Sequence, residues 1–161
     1  MPKVAVGGTF QYLHDGHEVL VIKAFEIAKG EKVYIGLTSD EMINKNHKIQ
    51  AYECRKTELI EFLDKLDIPD KNYIISKLND PYGPTLEGAF DYIVVSPETY
   101  PVALKINRLR EEKGLPPLKI ARVEYVMAED GIPISSTRIA KGEIDGHGRL
   151  KEKEARDKSP G

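Results

Sequence analysis

The residues with the most chemical promise sit near the amino terminus, in Gly7-Gly8-Thr9-Phe10-Gln11-Tyr12-Leu13-His14-Asp15-Gly16-His17. His14 and His17 lie three apart, with a glycine between them, where a loop runs into a helical pattern. Backbone N–H groups at a helix start lack intrahelical partners and carry partial positive charge, so they attract anions. Two imidazoles beside such a start can both donate to oxygens of one phosphate. Gly16 removes a Cβ from the approach, and Thr9 adds a hydroxyl. The chemistry this predicts is phosphate binding by imidazole donors. A zinc site built on the two histidines lacks cysteine and carboxylate partners at ligand spacing. The GxxxxGK[ST] pattern of a Walker-type loop is absent from this stretch.

A second group lies far along the chain, in Ile134-Ser135-Ser136-Thr137-Arg138. Consecutive hydroxyls at a helix start make another anion cradle, although a serine there also serves as a plain N-cap. Glu129 and Asp130, just upstream, read as turn residues rather than metal ligands.

Both groups need elements to position them. Lys3 to Gly8 is a short apolar run ending in paired glycines, as in a buried parallel strand followed by a tight turn. Residues 16–29 carry apolar side chains at helical spacing and end at Gly30, a C-cap glycine. Residues 32–38 read as a second strand, completing a βαβ unit. The pattern continues with a helix over 52–66, strands over 72–76 and 91–96, a helix over 102–113 and a strand over 118–123. A short last helix holds Ile139 and Ala140. Between the third and fourth strands, Asp80-Pro81-Tyr82-Gly83-Pro84 is a turn cluster without regular structure. This alternation predicts a single α/β domain over residues 1–150, a Rossmann-like, doubly wound parallel sheet. Its ligands would sit outside the carboxyl ends of the strands. Residues 151–161, almost wholly polar, read as a disordered tail.

Bulk composition narrows the classes. A length of 161 residues suits one core, and 24 basic against 26 acidic side chains give no excess for nucleic-acid binding. One cysteine, Cys54, excludes an intrachain disulfide framework and a multi-cysteine metal site. No run approaches the roughly 20 apolar residues of a membrane helix. The expectation is a soluble, cytoplasmic protein whose state of assembly the sequence leaves open.

The histidine stretch resembles the GTFDxxHxGH signature of the HxGH nucleotidyltransferases, with Gln11 where the pattern has Asp. Ile134 to Arg138 resembles that superfamily's second signature, ISSTxxR. Three further segments are similar to the archaeal phosphopantetheine adenylyltransferases and the matching domain of eukaryotic bifunctional coenzyme A synthase. They are Asp80-Pro81-Tyr82-Gly83-Pro84, Val95-Ser96-Pro97-Glu98-Thr99-Tyr100 and Ile106-Asn107-Arg108-Leu109-Arg110. The resemblance implies adenylyl transfer from ATP to 4′-phosphopantetheine, giving dephospho-coenzyme A and pyrophosphate. It implies ATP contacts from Gly7, Gly8, Phe10, His14, Gly16, His17, Ser135, Ser136 and Thr137, with His17 on the α-phosphate and His14 on the triphosphate. Thr9 and Lys45 would hold the incoming phosphate, which makes Lys45 the third candidate catalytic residue. Asn107 with Arg108, or Arg110, are further candidates for ATP phosphates. Positions i and i+2 do not share a helix face, and Arg108 is favoured here. Magnesium would enter with ATP, held by phosphates and water rather than by a carboxylate cage. The rival readings are a same-fold transferase acting on nicotinamide mononucleotide or an alcohol phosphate, a non-catalytic nucleotide or coenzyme A sensor, and a fragment related to class I tRNA synthetases.

Overall fold

The computed structural model describes residues 2–43 and 49–151. Five strands, β1 (Val4–Gly8), β2 (Val33–Thr38), β3 (Tyr73–Leu78), β4 (Tyr92–Val95) and β5 (Lys119–Arg122), form one sheet in the order β3-β2-β1-β4-β5. Every pairing is parallel, with Val4 opposite both Val33 and Tyr92. Parallel neighbours need crossovers, and helices α1 (Asp15–Ala28), α2 (Tyr52–Lys65) and α3 (Tyr100–Glu112) supply three of them. A short helix, α4 (Ser136–Ala140), follows the sheet. The doubly wound expectation holds.

Strand alternation sorts the core into two layers. Val4, Val6, Val33, Ile35, Leu37 and Val94 face α1 and α2, where they meet Leu20, Val21, Ala24, Leu59 and Leu63. Ala5, Ile93 and Val95 point the other way, onto Ala103 and Ile106 of α3 and onto Phe90. Each fully buried Leu or Val contributes roughly 1.5–3 kcal/mol of transfer free energy, so the two layers carry most of the fold's stability. The helix over 16–29 is found one residue earlier, and Lys29 joins Gly30 in positive-φ backbone at its end. Val19 and Ile22, counted with the apolar stripe, are exposed. The cluster at Asp80 closes into a 3-10 turn over Gly83–Leu86, capped from below by Asp80, whose Oδ1 accepts from the amides of Tyr82 and Gly83.

After β3 the chain crosses over β2 and β1 to pair β4 with the far side of β1. The strand order therefore reverses at β1. Loops leaving the carboxyl ends of β1 and β4 diverge there and leave a crevice.

Past β5, an antiparallel bridge joins Met127 to Pro133 and another joins Ile144 to Leu150. Ala128, Ile134 and Ile144 form a small third core beneath them. No helix among the described residues is long and apolar enough to cross a membrane.

Candidate active site

The crevice holds a cavity of about 400 Å3. Gly7 to Gln11, His14, Gly16 and His17 line it after β1, and Ser135, Ser136 and Thr137 line it as well. The two sequence groups, far apart along the chain, thus meet across one cleft.

Hydrogen bonding at the start of α1 decides what the histidines can do. His14 is the N-cap, and its Nδ1 accepts the Gly16 amide at 3.0 Å. His17 Nδ1 accepts the His14 amide at 3.1 Å, closing a capping box in which an imidazole replaces the usual carboxylate. A neutral imidazole that accepts at Nδ1 carries its proton on Nε2. Each ring therefore offers one N–H donor from its other edge, with ring centroids 3.9 Å apart. Gly16 is needed because any Cβ there would stand 2.8 Å from His14 Cε1. What fills the space beside Gly16 is the His14 ring, not the ligand.

The helix start itself differs from the sequence expectation. Its first amides are already paired: Asp15 N–H with the Gly146 carbonyl at 3.0 Å, Gly16 with His14 Nδ1, and His17 and Glu18 with the His14 carbonyl. They are not free to cradle a phosphate. The N–H donors left over at this helix start are those on Nε2 of the two rings.

Burial sets the protonation. Desolvation lowers the His14 pKa to about 4, against the opposing pull of Asp15 and Glu98. Desolvation also holds His17 well below its ordinary value, and the neighbouring His14 adds to that. Both rings are neutral donors near pH 7. Because the unfolded chain takes up these protons below about 6.5 and the folded chain does not, stability is complete above that pH. It is then lost as pH falls from 6.5 towards 4. We expect His14 alone to account for at most about 3 kcal/mol of that loss. Urea midpoints measured across this window should fall with acid, and the His14→Asn, His17→Asn double variant should flatten the slope.

The loop before the helix is strained and braced. Phe10 and Tyr12 adopt left-handed backbone at φ 49° and 48°, on either side of buried Gln11. Such non-glycine residues persist only where their surroundings over-determine them. Gln11 Oε1 accepts the Gln50 amide at 2.5 Å, and the Gln11 carbonyl accepts the Ser136 hydroxyl. Arg55, wholly buried on α2, donates to the carbonyls of Thr9 and Gln50 and pairs with Asp40 at 2.8 Å. Ser135 caps α4 by accepting the Arg138 amide, which leaves its own hydroxyl proton to donate.

The cytidylyltransferase-like family matches residues 5–142. A phosphopantetheine adenylyltransferase of Methanosarcina acetivorans is 72% identical over 151 residues, covering 94% of this chain and 97% of the relative. One from Methanosarcina barkeri is 70% identical over 151 residues, covering 94% of each. The chain belongs to the archaeal phosphopantetheine adenylyltransferases, within the cytidylyltransferase-like family. A crystal structure of a protein of unknown function from Archaeoglobus fulgidus superposes with a TM-score of 0.67 at 39% identity. It covers 75% of this chain and 88% of that one.

Against the family signature, the other expected contacts sort differently. Asn107 does not line the cleft; its amide clamps the main chain of Leu118, donating to the carbonyl and accepting the N–H. Arg108 lies in a separate shallow groove with Leu104 and Glu111. Arg110 is buried, its guanidinium donating to the carbonyls of Pro116 and Thr85. It braces the Tyr82–Thr85 wall of the cleft instead of meeting phosphate. Arg138 is held by Asp130 and Glu143. Lys45 lies outside the described residues. Among the described residues lining the cleft there is no lysine or arginine, while Glu98 and Glu124 bring two carboxylates.

Sequence reasoning missed Arg55 and Gln50, because a lone arginine in an amphipathic helix reads as a solvated side chain. Gln11 carried a signal, its departure from the family's Asp, and the structure shows it as a brace of the strained loop.

Proposed function

We propose that this chain transfers the adenylyl group of ATP to 4′-phosphopantetheine, releasing pyrophosphate and dephospho-coenzyme A. The observation that carries the proposal is the pair of imidazoles whose Nδ1 atoms are both engaged by backbone N–H groups, leaving two Nε2–H donors in a cleft closed by Ser135–Thr137. The names of the relatives support the acceptor. An anionic phosphate oxygen of the acceptor attacks the α-phosphorus, and the bond to the β-phosphate oxygen breaks. The acceptor phosphate is already deprotonated, so no base is required. Catalysis then rests on alignment and on donors aimed at charge gathering on the α-phosphate and pyrophosphate. Neutral imidazoles suit this chemistry, because their backbone bonds fix them in direction and no reorientation is needed as charge develops.

We place His17 on the α-phosphate and His14, Ser135, Ser136 and Thr137 along the triphosphate. The apolar wall formed by Leu78, Pro81, Tyr82, Pro84 and Val102 suits the uncharged arm of the acceptor. Lys45 and Thr9 remain the proposed holders of its phosphate. Magnesium would enter with ATP, carried by phosphate oxygens and water rather than by a carboxylate cage. A cytoplasmic site of action is part of the same proposal.

Pyrophosphate release with ATP and 4′-phosphopantetheine should proceed at a rate typical of such transfers. Parallel reactions with nicotinamide mononucleotide, or with CTP and glycerol 3-phosphate, should stay at background, and chelating magnesium should abolish turnover. Turnover with another acceptor would overturn the assignment of the apolar wall. Binding of ATP without turnover of any acceptor would favour a sensor.

A further inference from the structure

The segment Glu143 to Leu150 lies beyond the residues matched by the family, and nothing in the proposed chemistry uses it. It is nevertheless fastened directly to the start of α1, beside His14. The Gly146 carbonyl accepts the first amide of α1, that of Asp15, at 3.0 Å. His147 Nδ1 meets Asp15 Oδ1 at 2.8 Å, and since a carboxylate only accepts, the imidazole donates. Gly146 also lies flat against the loop: a Cβ there would stand 3.1 Å from the Leu13 carbonyl and 3.9 Å from His14 Cα.

The segment is built to hold that position. Asp145 Oδ1 accepts the amides of His147 and Arg149, and Ile144 is completely buried in the third core. At its other side it grips the second motif. Glu143 pairs with Arg138 at 3.0 Å, and Gly148 packs on Ile134, with its carbonyl accepting the Glu129 amide. One strap therefore joins both halves of the cleft, fastened next to the residue that caps α1.

We infer that the strap Asp145–Arg149 is a positioning element of the active site, fixing the His14 N-cap, and with it the His14 imidazole, through the Gly146 carbonyl and the His147–Asp15 contact. The inference rests on the proposed function only for its kinetic readout. It has a second readout that needs no substrate, the tautomer of His14.

Two variants test it. Gly146→Val places a branched side chain where only 3.1 Å is open to Leu13, pushing the strap off the loop. His147→Ala removes the contact to Asp15 while leaving the backbone free to fold as before. In protein labelled with 15N-histidine, His14 and His17 should both show proton-bearing Nε2 and bare Nδ1 in the parent. In Gly146→Val the His14 signals should move towards a tautomer mixture while those of His17 hold. Its kcat should fall about ten- to a hundredfold, as expected for misplacement on the order of 1 Å, with the KM for 4′-phosphopantetheine changed less than about twofold. His147→Ala should move the same His14 signals in the same direction by less, and His147→Asn, whose amide nitrogen stands near the old Nδ1 and can still donate to Asp15, should restore them. Unmoved His14 signals in a folded Gly146→Val, or in His147→Ala should the valine variant fail to fold, would overturn the inference. Absence of turnover in the parent protein would instead refute the proposed function and leave the tautomer result standing.

Discussion

Replacing His17 with alanine should lower kcat by about a hundred- to a thousandfold, the usual consequence of removing one preorganised donor at a developing oxyanion. The KM for ATP should change little, because the donor matters most once charge has gathered on the transferring group. His17 has two jobs at its two nitrogens, and they can be separated. Nδ1 accepts the His14 amide and completes the capping box, and Nε2–H is the donor proposed to meet the α-phosphate. Asparagine at 17 places an acceptor near the old Nδ1, so His17→Asn should recover the capping contribution, about 1 kcal/mol, without the rate. Glutamine reaches about as far as Nε2, so His17→Gln should recover part of the rate without the cap. Steady-state kinetics beside urea denaturation reads both. A His17→Ala variant within a few-fold of the parent rate would remove His17 from the catalytic centre.

Replacing Arg55 should cost about 3–5 kcal/mol of folding stability, since alanine would strand two carbonyls, remove the partner of Asp40 and leave a void the size of a guanidinium and its stem. The side chain is wholly buried, and its bonds go to separate pieces of the molecule: Gln50, Thr9 and Asp40. Asp40 is half-exposed, so water would take over that part; the carbonyls and the void carry most of the loss. Lysine can satisfy one acceptor but cannot fork to all of them, so Arg55→Lys should recover less than half. The functional consequence follows from the Thr9 carbonyl. With that bond gone, the left-handed turn through Phe10 and Tyr12 loses a brace, and turnover should fall about tenfold even at temperatures where the variant is folded. Urea unfolding curves decide the first part; an Arg55→Ala midpoint matching the parent would show that the buried guanidinium is not structural.

The fold was legible because its determinants are local. A β-branched run closing on Gly7-Gly8, an apolar stripe of helical period ending at Gly30 and a repeat of the same pattern leave little besides a parallel α/β sheet. The two candidate motifs were legible for the same reason, since His14, Gly16 and His17 stand close in sequence and Ser135 to Thr137 are consecutive. Residue type offered Ser135 or Ser136 as a cap, and the structure selects Ser135. Sequence placed the histidine motif after a strand, and so on the rim where ligands bind, whereas only the structure brought Ser135 to Thr137 to the same cleft.

Only the tertiary structure decided which polar groups the protein uses on itself. The amides opening α1 are taken by His14 and by Gly146, which lies at the far end of the chain, so the donors that remain there are on the imidazole edges. Asn107 with Arg108, or Arg110, read as candidates for ATP phosphates, yet Asn107 and Arg110 are engaged by backbone carbonyls brought to them by folding, and Arg108 lies in a separate groove. Arg55 reads as a surface residue, yet it braces the strained loop from within. The physical reason is the same each time. Hydrophobic period is a property of neighbours along the chain, whereas a hydrogen bond needs a partner whose distance and direction are set by how remote elements pack.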